Sequence, residues 1–423
     1  MRILMLAQFY PPVVGGEERH VQGLSRELVT RGHDVSVATL ALPGEPEFEI
    51  DARVRIHRIR TTMQRATWAF TDSARPHVPP FPDPEASAAL HRIITKERPE
   101  IVHAHNWLVH SFLPLKAWSG AKLVMTLHDY SLACAKKRLM YRGAPCSGPG
   151  LTKCLGCASD HYGAVKGVTT TVTNWVMGAV ERHAVDMFIA VSHATAVGNG
   201  IIDRNLPCRI IPNFVPDDLG KERTGDDPRL AQLPGEEYLL YVGDLSQDKG
   251  VDVLLRAYSG LSGAPPLVLI GRQGPDAPQR FPDNVVVLGP WPNDVVMESR
   301  YRSLLALAPS VWDEPFGIVV LESMAAGRPV IASNIGGLPD IVDNGVTGLL
   351  VPPGNAEALA HAMASLLADG TLRETMGSAS RERVNLFRAS VVVPRIEAVY
   401  QEVTGASTKM DTVATSAGMA SHV

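Results

Sequence analysis

Glu314-Pro-Phe-Gly-Ile-Val-Val-Leu-Glu322 is the stretch on which the reading of this chain turns. A carboxylate sits in a Pro/Gly turn, a short apolar run follows, and a second carboxylate comes eight positions after the first. Pro315 disfavours helix at Glu314, and Gly317 lets the backbone approach a ligand closely. Ile318, Val319, Leu321, Met324 and Ala325 predict a buried helix from about Gly317, ending near Gly327-Arg328-Pro329. Its first N–H groups lack partners in their own helix, so the turn offers donors to an anion or a hydroxyl. Glu322 is expected about 7 Å further along the axis, at about 1.5 Å per residue. Two acceptors at that separation, with donors at one end, suit a ligand carrying hydroxyls at both ends and phosphate between. The plain alternative is a surface turn with Glu314 solvated and Glu322 in a salt bridge, because glutamates are mostly exposed.

The surroundings favour the ligand. This Glu-x7-Glu segment resembles the signature of the family-4 retaining glycosyltransferases, which have the GT-B fold. The similarity continues through Gly327-Arg-Pro-Val330, Gly336-Gly-Leu-Pro339 and Asn344-Gly-Val-Thr-Gly-Leu-Leu350. It extends over about residues 2–403 and is strongest from 238 to 351. The fold it implies is α/β: two Rossmann-like doubly wound domains facing a central cleft.

At 423 residues the chain is long enough for two or three domains. Apolar residues at 45% and charged residues at 20% describe a soluble globular protein. A net charge of −4 gives no reason to expect nucleic-acid binding. The apolar start Met1–Ala7 is short for a signal peptide, and no run reaches the length of a membrane span. A cytoplasmic protein is expected, with membrane contact at most peripheral.

Residues 2–9 read as a buried strand, followed by a loop to Gly15-Gly16 and a helix carrying His20, Val21, Leu24, Leu28 and Val29. Asp34–Thr39 is the next strand, so a βαβ unit and a parallel sheet are expected. The turn lacks Gly-x-Gly-x-x-Gly, which counts against a dinucleotide dehydrogenase. Arg53–Arg60 alternates basic and apolar residues, as a half-buried strand does. Residues 61–86 hold Trp68 and five prolines in a weakly periodic segment. Long irregular inserts are often functional, so this one is assigned to the acceptor pocket; a plain surface excursion is the alternative. Ile101–His105 and Lys122–Leu127 read as strands, the second closed by His128-Asp129. Residues just beyond strand C-termini face the ligand crevice of an open α/β sheet. His103 and His105 are read as core packing before cleft lining, and Asp129 as orienting His128 or serving the acceptor.

Four of the five cysteines fall together: Cys134, Cys146, Cys154 and Cys157. Cys154-Leu-Gly-Cys157 has the spacing that lets two thiolates bind one tetrahedral zinc. A structural zinc on the four thiols is one reading, a redox pair or unligated thiols the others; a cytosolic setting disfavours disulfides. Residues 163–185 read as a helix.

The resemblance divides the chain into an acceptor-side domain at 1–212 with the Cys-rich insert 134–157, a connection at 213–235, and a nucleotide-sugar domain at 236–388. A helix at 389–403 crosses back to the first domain, and a disordered tail follows at 404–423. The donor implied is a nucleotide sugar, UDP- or GDP-linked, and the partner a carbohydrate, lipid-linked or small-molecule acceptor. No cofactor is implied for catalysis. Glu322 would bind ribose hydroxyls, while Glu314 with Phe316, Gly317 and Ile318 would hold the donor sugar. His128 would hydrogen-bond that sugar, and Gly16 and Lys249 would face the diphosphate. The family's usual Arg after the first glycine of the Gly243–Gly250 loop is Asp244 here, so Arg272 is the candidate substitute cation. A front-face displacement with retention follows from the family. A nucleotide-sugar epimerase, a glycoside phosphorylase and an inactive transferase partner stay open as alternatives.

Overall fold

The computed structural model describes residues 1–13, 15–65, 78–219, 227–235 and 237–405. Trp68, most of the proline-rich insert and the tail beyond 405 lie outside them.

Two open sheets organise the chain. The first contains β1 (Arg2–Leu6), β2 (Asp34–Leu40), β3 (Phe48–Asp51), β4 (Val54–Ile59), β5 (Ile101–Ala104) and β6 (Lys122–Leu127). A separate two-stranded hairpin, β7 (Met140–Tyr141) and β8 (Ala144–Pro145), interrupts it before β9 (Met187–Ala190) and β10 (Cys208–Ile210). The order is β10-β9-β6-β5-β1-β2-β4-β3, and only β3 runs antiparallel to its neighbour. The second sheet is wholly parallel: β11 (Leu239–Val242), β12 (Leu267–Ile270), β13 (Val285–Leu288), β14 (Leu305–Ala308), β15 (Val330–Ser333) and β16 (Gly348–Val351), in the order β13-β12-β11-β14-β15-β16.

Strand β1 shows why the runs are continuously apolar. Leu4 and Leu6 enter one core and Ile3 and Met5 another, so both faces are covered and alternation disappears. The helix Gly16–Thr30 packs on the second of these faces through Val21, Leu24 and Leu28. The helix Ala389–Thr404 joins the same core through Val392, Val393, Ile396, Val399 and Tyr400. After building the second sheet, the chain therefore returns to the first. The two passages between the sheets run side by side: Val215 N–H donates to Phe387 O at 2.9 Å, and Ala389 N–H donates to Val215 O at 3.0 Å.

The Cys-rich region differs from its sequence reading. A helix spans Leu151–Tyr162, breaks at Gly163 and resumes as Ala164–Ala184. Cys154 and Cys157 therefore sit on consecutive turns of a helix rather than in a metal-binding loop. No helix among the described residues is long and apolar enough to cross a membrane.

Candidate active site

The helix Ile318–Ala325 starts after Gly317, which adopts φ 105° and ψ 54°. A side chain is strained there, and a Cβ would lie 2.6 Å from Leu338 Cδ2. This turn sets Glu314 beside the loop that follows β11. Glu314 Oε2 accepts from Lys249 Nζ at 2.6 Å, from Trp312 Nε1 at 3.0 Å and from Ser310 Oγ at 3.2 Å. Lys249 also lies 5.0 Å from the centre of the Trp312 ring. Its position depends on Gly250, at φ 74°, where a Cβ would fall 1.9 Å from Pro309 O.

Glu322 projects from the same helix and is buried. Its Oε2 accepts from Arg300 Nη2 at 2.7 Å and its Oε1 from Arg19 Nη1 at 2.9 Å. Arg300 is completely buried, which lowers its pKa, while the Glu322 charge opposes that shift. Neither arginine was singled out from the sequence. Arg19 lies one turn into a helix of ordinary amphipathic pattern, and Arg300 lies in a helix with one other arginine, Arg302. The pairing is purely tertiary.

On the facing domain, His128 stands at the end of β6. Its Nε2 lies 3.0 Å from His105 Nδ1, and the His20 ring meets it edge-on at 5.0 Å between centroids. His103 bonds Tyr400 Oη and Thr126 Oγ1, each at 2.7 Å, and belongs to the core as expected. His105 instead holds the cleft histidine. Asp129 does not: it accepts from Ser131 N–H at 2.8 Å and lies 3.9 Å from Lys137 Nζ. Of the two roles read for Asp129, orienting His128 is taken instead by an imidazole. Burial pushes His128 and His103 down to about 3, and His20 and His105 well below the usual histidine range. All four rings are neutral at pH 7. One nitrogen each of His20, His105 and His128 lies within 4.8 Å of the others, a donor set able to accept a transition metal. The two nearest nitrogens are already joined by a hydrogen bond.

Glu17 sits beside Gly16 and accepts from Asn106 Nδ2. Burial, then the charges of Glu18 and Asp129, push its carboxyl up to about 8.

A cavity of 430 Å³ joins these parts. Gly16, His128, Glu314, Phe316, Gly317, Ile318 and Glu322 all line it, together with Arg19, His20 and Glu17. Phe316 is almost fully buried, so its backbone is what the turn can offer a ligand. Lys249 reaches the cavity through Glu314. Arg272 is not a free cation: its Nη2 pairs with Asp244 Oδ2 at 3.0 Å. Asp244 has recruited the residue assigned to stand in for the family's arginine.

The four thiols do not form a cage. Cys146 Sγ donates to Gly148 O, Cys157 Sγ donates to Met140 O, and Cys154 Sγ accepts from Gly150 N–H. Burial, then nearby Cys134 and Cys146, push the Cys154 thiol up. Among the described residues only the histidine trio brings three such ligand atoms within 4.8 Å of one another. Cys154 meets a backbone N–H and Cys157 a carbonyl of β7, so the four-thiol cage of the zinc reading is not assembled among the described residues. The insert instead contributes Arg138, which pairs with Asp248 of the second domain at 2.6 Å.

The model of the family described as Glycosyltransferase Family 4 matches residues 14–219, and that described as Glycosyl transferases group 1 matches residues 223–383. Glycogen synthase of Mycobacterium tuberculosis is 29% identical over 414 residues, covering 91% of this chain and 90% of that protein. Sucrose-phosphate synthase of Thermosynechococcus elongatus superposes with a TM-score of 0.71 at 23% identity, over 96% of this chain and 99% of that one. The Anabaena HepE structure in complex with UDP superposes with a TM-score of 0.67 at 18% identity, over 95% of this chain and 100% of that one. With two family models in tandem over two facing α/β domains, the chain belongs to the family-4 glycosyltransferases of GT-B fold.

Proposed function

We propose that this enzyme transfers a sugar from a UDP- or GDP-linked donor to a hydroxyl acceptor with retention of anomeric configuration. One observation carries the reading: a single cavity has Glu322 in one wall, Glu314 and the Gly317 turn in another, and Gly16 and His128 facing them. In this reading Glu322 accepts from the ribose hydroxyls, each oxygen retaining a lone pair beside its arginine. Glu314 and the Phe316–Ile318 backbone hold the donor sugar, and neutral His128 hydrogen-bonds one of its hydroxyls. Lys249 leaves Glu314 to meet the diphosphate, with the Gly16 N–H on the opposite side.

The reaction breaks the bond from the anomeric carbon to the diphosphate oxygen and forms one to the acceptor oxygen on the same face. The acceptor proton passes to the departing phosphate oxygen. Lys249 and the Gly16 N–H stabilise the charge that grows on that phosphate, the contribution that usually dominates such catalysis. Contacts between the domains, including Arg19 to Glu322, keep water from the donor. The division supporting this is 1–212 on the acceptor side, 213–235 connecting, 236–388 holding the donor, and 389–403 closing back.

Calorimetric titration with UDP-, GDP- and ADP-sugars, repeated with Glu322→Ala, tests the donor assignment. Binding of one nucleotide class that the substitution weakens is expected. No binding at millimolar concentration would remove the proposal. The anomeric coupling constant of the product then checks retention.

A further inference from the structure

A second cavity, of 850 Å³, opens beside the donor cleft. The loop after β6, the Cys-rich insert and the helices Ala164–Ala184 and His193–Gly198 wall it on one side. Asp313, Gly336 and Asp340 of the second domain close the other. The cavities adjoin: Tyr130 and Asp313 line this one, while His128 and Glu314, two residues and one residue away, line the donor cleft.

Three polar atoms in its lining side chains are buried without a hydrogen-bond partner: Tyr130 Oη, Asn199 Oδ1 and Arg182 Nε. Tyr130 is 1% exposed and Asn199 0%. Buried polar atoms are rarely left unpaired, so three around one cavity mark where a ligand completes them. Burial, with the charges of Asp313 and Glu314 next, holds the Tyr130 hydroxyl protonated, and it is therefore a donor. Asn199 spends its amide on Asp129 O and Thr195 O, which leaves its oxygen to accept. Trp175 adds a half-buried aromatic surface to the wall.

The charges argue against an anion. Arg182 Nη2 is committed to Leu132 O at 2.9 Å and Arg204 Nη1 to Gly200 O at 3.1 Å, while Asp313 and Asp340 face the same space. A phosphorylated ligand would meet three carboxylates, Asp203, Asp313 and Asp340, against two arginines that each already give one nitrogen to a backbone carbonyl. Donors, acceptors and an aromatic plate together match a sugar, whose hydroxyls bond both ways and whose C–H face stacks. The volume lies high in the range of about 300–1,000 Å³ typical of small-molecule sites, which gives room for more than one ring.

We propose that this cavity binds the acceptor as a neutral oligosaccharide, its reacting hydroxyl passing between Tyr130 and Asp313 to the donor sugar at Glu314. This rests on the transferase reading above, and the experiment separates the two. The full chain is applied with UDP, or GDP if that is the nucleotide bound, to an array of neutral and acidic oligosaccharides. Wild type, Trp175→Ala and Tyr130→Phe are compared, and nucleotide binding is titrated for each. Neutral oligosaccharide binding is expected, weakened about tenfold or more by Trp175→Ala, with nucleotide affinity unchanged. Tyr130→Phe keeps the shape of the wall and removes only the donor, so loss there does not reflect misfolding. The proposal is overturned if nucleotide binds but no oligosaccharide does, if only acidic glycans bind, or if binding survives both substitutions. Oligosaccharide binding sensitive to Trp175 in a protein that binds no nucleotide upholds the cavity's ligand and overturns the transferase reading alone.

Discussion

Arg19 of the first domain and Glu322 of the second meet across the cleft at 2.9 Å, while Arg300 holds the other oxygen of Glu322 from beneath at 2.7 Å. The two arginines differ in burial. Arg300 is fully enclosed, and Arg19 keeps 33% of its side chain exposed. Arg300→Met would leave one oxygen of the buried Glu322 carboxylate without its partner and only the half-screened Arg19 on the other, a loss of about 3 kcal/mol. Arg19→Ala should cost at most about 1 kcal/mol, because solvent screens that partner. Urea unfolding of both variants checks the order; equal losses would show that Arg300 is not the base of the site.

The pairing of Arg272 with Asp244 concerns ligand charge more than stability. Both side chains are about half exposed, so the pair contributes at most about 1 kcal/mol to folding. Removing Arg272 uncovers a carboxylate beside the loop that carries Lys249. Arg272→Ala is expected to weaken nucleoside diphosphate binding roughly threefold to tenfold at low salt, and the double variant with Asp244→Ala to recover it. Calorimetry at two ionic strengths decides. A double variant as weak as the single one would mean that Arg272 touches phosphate directly.

Lys249 is tied to Glu314, but Glu314 does not depend on it. Trp312 and Ser310 hold the same oxygen. Lys249→Ala should therefore leave the melting temperature nearly unchanged. Its effect belongs to the transition state, with kcat about a hundredfold to a thousandfold lower at saturating donor. A rise in KM with kcat unchanged would place Lys249 in ground-state binding only.

These side chains show what the sequence made legible. Strand–turn–helix alternation gave the two sheets because apolar runs and Gly turns are local signals, and the Gly317 turn was readable for the same reason. Glu314, Glu322, Gly16 and His128 were gathered by the family resemblance, and the one cavity they line brings them together. Arg19 and Arg300 carried no motif: their roles arise from Glu322, 303 and 22 positions away along the chain. His105 directly follows a strand, but its bond to His128, 23 positions on, is a tertiary contact. Asp129 shows the converse. It is next to His128 in sequence, yet the chain turns through Ser131 and points it toward Lys137. The cysteine spacing was ambiguous because a two-residue gap fits a helix turn as well as a metal loop.

The neutral histidines tie stability to pH. Burial lowers His103 and His128 from an ordinary 6.5 to about 3, and His20 and His105 fall well below 6.5. The unfolded chain then binds protons that the native state refuses. Stability is complete above pH 6.5 and is lost as pH falls from there toward 3. Denaturant unfolding at pH 7.5, 6.5 and 5.5 should show this fall, and His105→Gln with His128→Gln should flatten it. A wild-type slope unchanged in the double variant would refute the assignment.

Glu17 titrates in the opposite sense. Its carboxyl rises from 4.5 to about 8 in the folded chain, through burial first and the charges of Glu18 and Asp129 next, while the Asn106 bond and Lys137 oppose the rise. Stability is therefore complete below pH 4.5 and declines as pH rises through 8. At pH 7 the native side chain is neutral, and it adjoins Gly16, whose N–H faces the diphosphate in the proposed mechanism. Ionisation adds a negative charge there, so kcat/KM should fall with a midpoint near 8. Glu17→Gln keeps the neutral shape and the contact to Asn106, so it should match wild type at pH 6.5 and retain activity at pH 9. Superimposable pH profiles for the two enzymes would assign the alkaline limb to another group and leave Glu17 a packing residue.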